Sequence, residues 1–442
     1  SRQQVIDFLG ENGREYVGEL QVALTEMKQA QNIGSALVMD LTDNARDFIA
    51  KRINTFAKKK TRGELDLLQI GLLNTLTPFL HPILMLTAKY PAVVANPPYM
   101  GSKNMNADLS TYLKAHYPKS KSDLFAVFME VLPNLTIQHG NFGIINLPSW
   151  LFLSTFENIR ADYISKYFIM NMLHFGRGIF GIDWGSVAFT VNKARTFERN
   201  GNYFKLHERT FQHIRVEDIE KLFQYSYNNP SYKYDFRLYR DEDGINEIPE
   251  NGIETGQRIF YPSIAQSNFS KIPGSPIAYW LPNSALNAID KAIPLSTICN
   301  PRKGMCTRDN KHFVRLWSEV SIENIGFNCI SREESNLSKR RWFPYQKGGE
   351  YRQWCGNNSY IVDWENDGYK LLNMDPLGWT GNSTNHNLNY IFKPAIVWSK
   401  IVSTIPNFRF VKSGFLFDDA SGLCALKDTF DTNVVLGFLC SK

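Results

Sequence analysis

Asn96, Pro97, Pro98 and Tyr99 stand together at the end of a short apolar run, in the stretch AVVANPPYMG, and their types are those that could grip an amino group. Proline lacks an N–H and fixes its own φ, so neither Pro97 nor Pro98 continues a sheet ladder and the strand must end at Asn96. A residue that precedes proline is held extended, which gives the Asn96 amide a defined direction. Its oxygen and the Pro97 carbonyl then form two neighbouring acceptors, matched to an NH2 group. An exocyclic amine on a purine is a weak nucleophile because its lone pair is spread into the ring. Two acceptors drawing on its hydrogens favour a pyramidal nitrogen and stabilise charge where it develops. The Tyr99 ring offers a flat face on which a base can stack. Taken alone, the tetrapeptide also reads as a proline-stiffened turn with no chemistry.

Such a corner needs a strand behind it, because open α/β sheets place ligands at the carboxyl ends of their strands. The surrounding pattern supplies one. Apolar strands at 91–95, 142–147, 167–175 and 186–191 alternate with helices at about 121–138 and 154–166, which predicts an α/β fold with a mainly parallel sheet and helices on both faces. The last two strands are joined by GRGIFGIDWG with no helix between them, so they are predicted to pair antiparallel at one edge. Gly176 to Gly181 in that joint spell GxGxxG, but a dinucleotide site needs a helix to follow and a strand follows instead. Residues 1–89 show three- and four-residue apolar spacing in VIDFLGENGREYVGELQVAL and in DNARDFIAKRINTF, the latter with Asp43 and Asn44 as caps. This predicts a helical layer. Residues 90–200 hold the strands, 201–275 read as a connector rich in Asn, Tyr and charge, and 276–442 read as an irregular, strand-rich second domain.

Among 442 residues, 43% hydrophobic and 21% charged content excludes a largely disordered chain, and the net charge of +6 is too mild to name a partner by itself. The first twenty residues are polar and charged, unlike a signal peptide. The uncharged stretch Leu67 to Ala88 contains Gln69, Asn74, His81 and two prolines, which predicts a packed interior helix broken near Pro78, and no membrane span. The six cysteines show no CxxC pair and the eight histidines no HxH or HExxH spacing. They are read as reduced thiols and structural rings of a cytoplasmic protein, with no metal site. The chain lacks a start methionine and ends in the apolar run VVLGFLCSK, so it is expected to be part of a longer one.

Four stretches in order carry a resemblance. ANPPY, SDLFAVFME (122–130), GIINLPSWLF (143–152) and IFGIDWGSVAFTV (179–191) resemble the successive motifs of the amino-methyltransferases that modify exocyclic nitrogens of DNA bases. More narrowly, NPPYMGSKNMN, RWFPYQKGGEYRQW and FKPAIVWSKI resemble the adenine-specific methyltransferases of BREX phage-defence systems, over essentially the whole chain. The resemblance implies part of a Rossmann-like methyltransferase sheet and a mixed α/β target-recognition domain. It implies adenine N6 as target, double-stranded DNA and other phage-defence subunits as partners, and S-adenosylmethionine as cofactor. Asn96 to Tyr99 would hold the base, Phe180 or Trp184 would cover its other face, and Asp123, Leu124 and Phe125 would lie against the cofactor. The family's glycine-rich cofactor motif has no match in residues 1–95, where NIGSALVMDL (32–41) lacks the acidic residue and the glycine spacing. The main cofactor motif is therefore expected upstream, and this part alone is expected to bind the cofactor poorly and turn over little.

DNA would need a second surface. Between residues 302 and 352 eleven basic residues stand against six acidic ones, interleaved with aromatics in KRRWFPYQKGGEYRQW. Lys339, Arg340, Arg341 and Lys347 are candidates for phosphates, and Arg352 and Asn382 for base edges. The rival from another class is a module that recognises DNA or a phage protein without modifying it. A nuclease is the weaker third reading, since no PD…(D/E)xK pattern is evident.

Overall fold

The computed structural model describes residues 1–175, 185–194, 199–206, 216–231, 233–234, 257–373, 387–402, 405–427 and 430–441. They divide into two compact units, Ser1–Lys291 and Ala292–Lys442.

The first unit begins with the expected helical layer: α1 (Arg2–Leu9), α2 (Val17–Glu26), α3 (Asp43–Thr61), α4 (Leu67–Thr87) and α5 (Ala107–His116). The cap of α3 is Thr42, whose hydroxyl accepts from Ala45 N at 3.3 Å, rather than Asp43 or Asn44. Helix α4 runs through Pro78 and Pro82 without the expected break. Leu73, Leu76, Leu80 and Ile83 are buried on both sides of the prolines, and their packing outweighs the lost backbone bonds. By length and composition α4 is the one described helix that could cross a membrane.

The sheet that follows contains β1 (Tyr90–Ala95), β2 (Thr136–Asn146), β3 (Phe168–Phe175), β4 (Val187–Asn192), β5 (Asn200–Leu206) and β6 (Phe260–Ala265). Their spatial order is β1-β2-β4-β3-β5-β6. The pairs β1–β2 and β3–β5 are parallel, while β4 runs antiparallel to both β2 and β3. The sheet is therefore mixed rather than mainly parallel, and the predicted antiparallel pair lies in its middle rather than at an edge, because β4 folds back between β2 and β3 instead of extending past β3. The stretch read as a connector supplies β5 and β6, whose alternation is short and was hidden by the polar residues around it.

Helix α6 (Leu124–Leu135) is buried on two sides. Leu124, Val127 and Val131 pack into the helical layer, whereas Phe125, Ala126, Met129 and Leu132 pack on the sheet. A helix apolar all round is what such a position requires. Helix α7 (Glu157–Lys166) joins it on the same sheet face through Ile159 and Tyr163. On the opposite face Phe223 and Tyr227, from the helix Val216–Asn228, meet Phe204 and Phe260.

The second unit holds two four-stranded sheets. One contains Val314–Leu316, Trp342–Gln346, Tyr360–Asp363 and Leu416–Phe417; the other contains Cys299–Lys303, Ala395–Ser399, Phe408–Val411 and Ser421–Leu426. Cys299 and Cys424, expected as thiols, are joined by a disulfide. They stand 125 positions apart, so only the antiparallel pairing of their strands brings them together.

Candidate active site

Strand β1 is at the edge of the sheet and pairs with β2 so that Ala95 faces Ile144. The chain leaves the ladder at Asn96, where the prolines end it. Pro97 is buried, Asn96 is exposed, and the Asn96 side chain makes no hydrogen bond to another described residue. Val94 and Asn96 lie on the sheet face away from α6 and line a hollow of about 600 Å³ with Ile145, Leu173, Ala188 and Thr190. The Tyr99 ring turns the other way and meets Phe125 edge-on at 6.4 Å between centroids. Burial pushes its hydroxyl pKa above the ordinary phenol value, with Ser186 beside it working in the opposite direction.

Asp123 precedes α6 and its Oδ1 accepts from two backbone amides, Met100 N at 3.1 Å and Phe125 N at 3.3 Å. Burial raises its pKa, opposed by these backbone hydrogen bonds. Leu124 and Phe125 are themselves buried in the two cores that α6 separates. Of the three residues expected at the cofactor, Asp123 has one carboxylate oxygen taken up by the chain itself, and the side chains of Leu124 and Phe125 are interior. Phe180, Trp184 and the GxGxxG of Gly176–Gly181 lie outside the described residues, as does Asn382.

One neighbour went unnoticed in the sequence. Asn146 ends β2 and is fully buried, with neither amide atom hydrogen-bonded among the described residues. Its place at the carboxyl end of the strand beside β1 was the available signal. The role of Asp123 as a helix cap was also legible, since an Asp before the apolar run LFAVFM is an N-terminus signature.

In the second unit the candidate DNA contacts separate into two kinds. Lys339 and Arg340 are exposed, and Lys339 adopts a left-handed φ of 54°. Arg341 instead forms a two-pronged pair with the buried Asp363, at 2.9 and 2.8 Å, and stacks over Trp342. Lys347 is largely covered, 3.8 Å from Asp418 and over the Tyr360 ring. Arg352 is exposed. Arg341 and Lys347 flank the strand Trp342–Gln346, so they stand roughly 20 Å apart.

Comparison with known proteins gives a family match over part of the chain. Residues 17–180 match the model of the Eco57I restriction-modification methylase family. The chain is similar, more particularly, to the adenine-specific methyltransferase PglX of Lacticaseibacillus casei (strain Zhang), with 33% identity over 410 residues, 91% of this chain and 31% of that protein. It is similar also to the adenine-specific methyltransferase BrxX of Escherichia coli O9:H4 (strain HS), with 31% identity over 419 residues, 93% of this chain and 30% of that protein. The resemblance seen in the motifs thus holds across the sequence, and the chain spans about a third of the length of these relatives. A structure of the type IIL restriction-modification enzyme MmeI in complex with DNA aligns at a TM-score of 0.46 and 12% identity, over 82% of this chain and 43% of that one.

Proposed function

We propose that this chain carries the target-base part of a site-specific DNA adenine-N6 methyltransferase of a phage-defence system, with S-adenosylmethionine as methyl donor. The observation that carries this reading is Asn96: an exposed amide, with no side-chain hydrogen bond among the described residues, held by two prolines at the carboxyl end of a strand. The names of the two curated relatives support it.

In this reading the Asn96 oxygen and the Pro97 carbonyl accept the two hydrogens of the adenine amino group. The N–C bond would form as the donor's S–CH3 bond breaks to leave a thioether; both acceptors would stabilise the positive charge on nitrogen until its proton passes to water. No general base of tuned pKa is required. Adenine must first be everted from the duplex, at a cost of a few kcal/mol that stacking on Tyr99 and the amide contacts offset. No step is assigned to Asp123, Leu124 or Phe125 as cofactor ligands. Among the described residues no strand pairs with the outer edge of β1, which is where a cofactor-binding half of the sheet would pair. Lys339 and Arg340, both exposed, are the proposed phosphate contacts.

The test is methyl transfer to DNA by the full-length protein. Asn96→Ala should lower the rate by about 10²–10³-fold, as loss of one charge-stabilising group does elsewhere, with DNA binding retained. Undiminished transfer by Asn96→Ala would remove the basis of the proposal.

A further inference from the structure

We infer that Asp123 is a positioning residue that pins the far end of the Asn96–Tyr99 corner to helix α6; the inference rests on the amino-methyl-transfer reading above and deepens it. The prolines stiffen residues 96 to 98, but stiffness does not decide where a corner points. That is decided by what holds its two ends. The near end is β1, bonded along its length to β2. The far end, Met100–Ser102, is zipped to Ser122–Leu124: Leu124 N donates to Met100 O at 3.1 Å, Ser102 N donates to Ser122 O at 2.9 Å, and Gly101 bridges Asp123 antiparallel.

Asp123 completes this zip with its side chain. Its Oδ1 accepts from Met100 N, directly after Tyr99, and also from Phe125 N in the first turn of α6. A single oxygen therefore couples the corner to a helix that is packed on two sides and has no room to shift. Phe125, the residue it caps, is also the ring against which Tyr99 rests. Losing the carboxylate frees the Met100 amide and one capping bond together. The Asn96 oxygen would then sample positions away from the target nitrogen, and a misplacement of about 1 Å can cost about 10²-fold in rate.

The role needs an acceptor oxygen and no ionised group, and asparagine caps helices as well as aspartate does. Asp123→Asn should therefore keep the zip and Asp123→Ala should open it. Hydrogen exchange on the 442-residue chain reads this directly. In Asp123→Ala the amides of Met100 to Ser102 should exchange at least about tenfold faster, with the core strands unchanged, and in Asp123→Asn they should stay near wild type. In the full-length protein, Asp123→Ala should lower kcat by about 10–10²-fold while the Kd for S-adenosylmethionine stays within about twofold, and Asp123→Asn should restore most of the rate. Unchanged exchange in Asp123→Ala overturns the inference. So does a loss of cofactor affinity that accounts for the loss of rate, because Asp123 would then be a cofactor ligand. If the wild-type protein transfers no methyl group, the methyltransferase reading falls, and the exchange comparison still decides the zip.

Discussion

The Asn96 corner and the basic stretch Lys339–Lys347 hold their polar groups in opposite ways. At the corner, orientation is set by backbone: two prolines, a strand ladder on one side and the Met100–Ser102 zip on the other. In the basic stretch, availability is set by side-chain partners distant in sequence. Arg341 is spent on Asp363 and Lys347 leans on Asp418, while Lys339 and Arg340 remain in solvent. Neighbouring cations in one run thus have different work, and counting charges cannot separate them.

The largest effect that tests this contrast is at Arg341. Asp363 is buried and depends on Arg341 for its pairing, so Arg341→Ala leaves a buried carboxylate without its cation. Breaking a wholly buried pair costs about 3–5 kcal/mol; with Arg341 itself half exposed, about 2–3 kcal/mol is expected, read as a fall in the denaturation midpoint. Arg340→Ala should change stability by no more than about 0.5 kcal/mol and instead reduce the salt slope of DNA binding by about one. Equal stability losses in the two variants would erase the distinction between them.

Much of the corner was legible because proline chemistry is local. Pro97 and Pro98 end a strand whatever surrounds them, and Asp123 before LFAVFM marks a helix start. The sheet was legible as alternating elements but not in its order, since nothing in SVAFTV says that the strand folds back between two others. Strand β5 was missed because its neighbours in sequence are polar, and the disulfide because its halves are 125 residues apart. The pairing of Arg341 with Asp363 was hidden for the same reason: their meeting depends on the register of two strands.

Asn146 sharpens the comparison at an intermediate size. Unlike Arg341, it is buried without a hydrogen bond among the described residues, so its amide lowers stability where it stands. Asn146→Leu, close in shape and without polar atoms, should leave the melting temperature unchanged or raise stability by about 1 kcal/mol. If the buried amide serves the everted base, the same variant should lower methyl transfer by the full-length protein. A variant that is less stable by 2 kcal/mol or so would mean that the amide is satisfied in the folded protein and belongs with Arg341 instead.

The smallest effect lies in the support behind the corner. Asp162 on α7 takes Lys119, from the turn that leads into Asp123, and Lys166 at 3.2 Å. Burial pushes the Asp162 pKa up, but hydrogen bonds from Lys119 and Lys166 outweigh it, and the net shift is downward. A carboxyl whose folded pKa lies below its unfolded value adds stability that is fully present above the unfolded value and is lost as pH falls through the folded one. Both lysines are substantially exposed, so the contribution is below about 1 kcal/mol and shrinks with added salt. Stability should therefore decline on acidification below the ordinary carboxylate range, and the decline should be slightly shallower in Asp162→Asn. Because the Lys119 tie anchors the turn rather than the zip, that variant should leave exchange at Met100 to Ser102 near wild type. Faster exchange there would show that the corner is held through Lys119 as well as through Asp123.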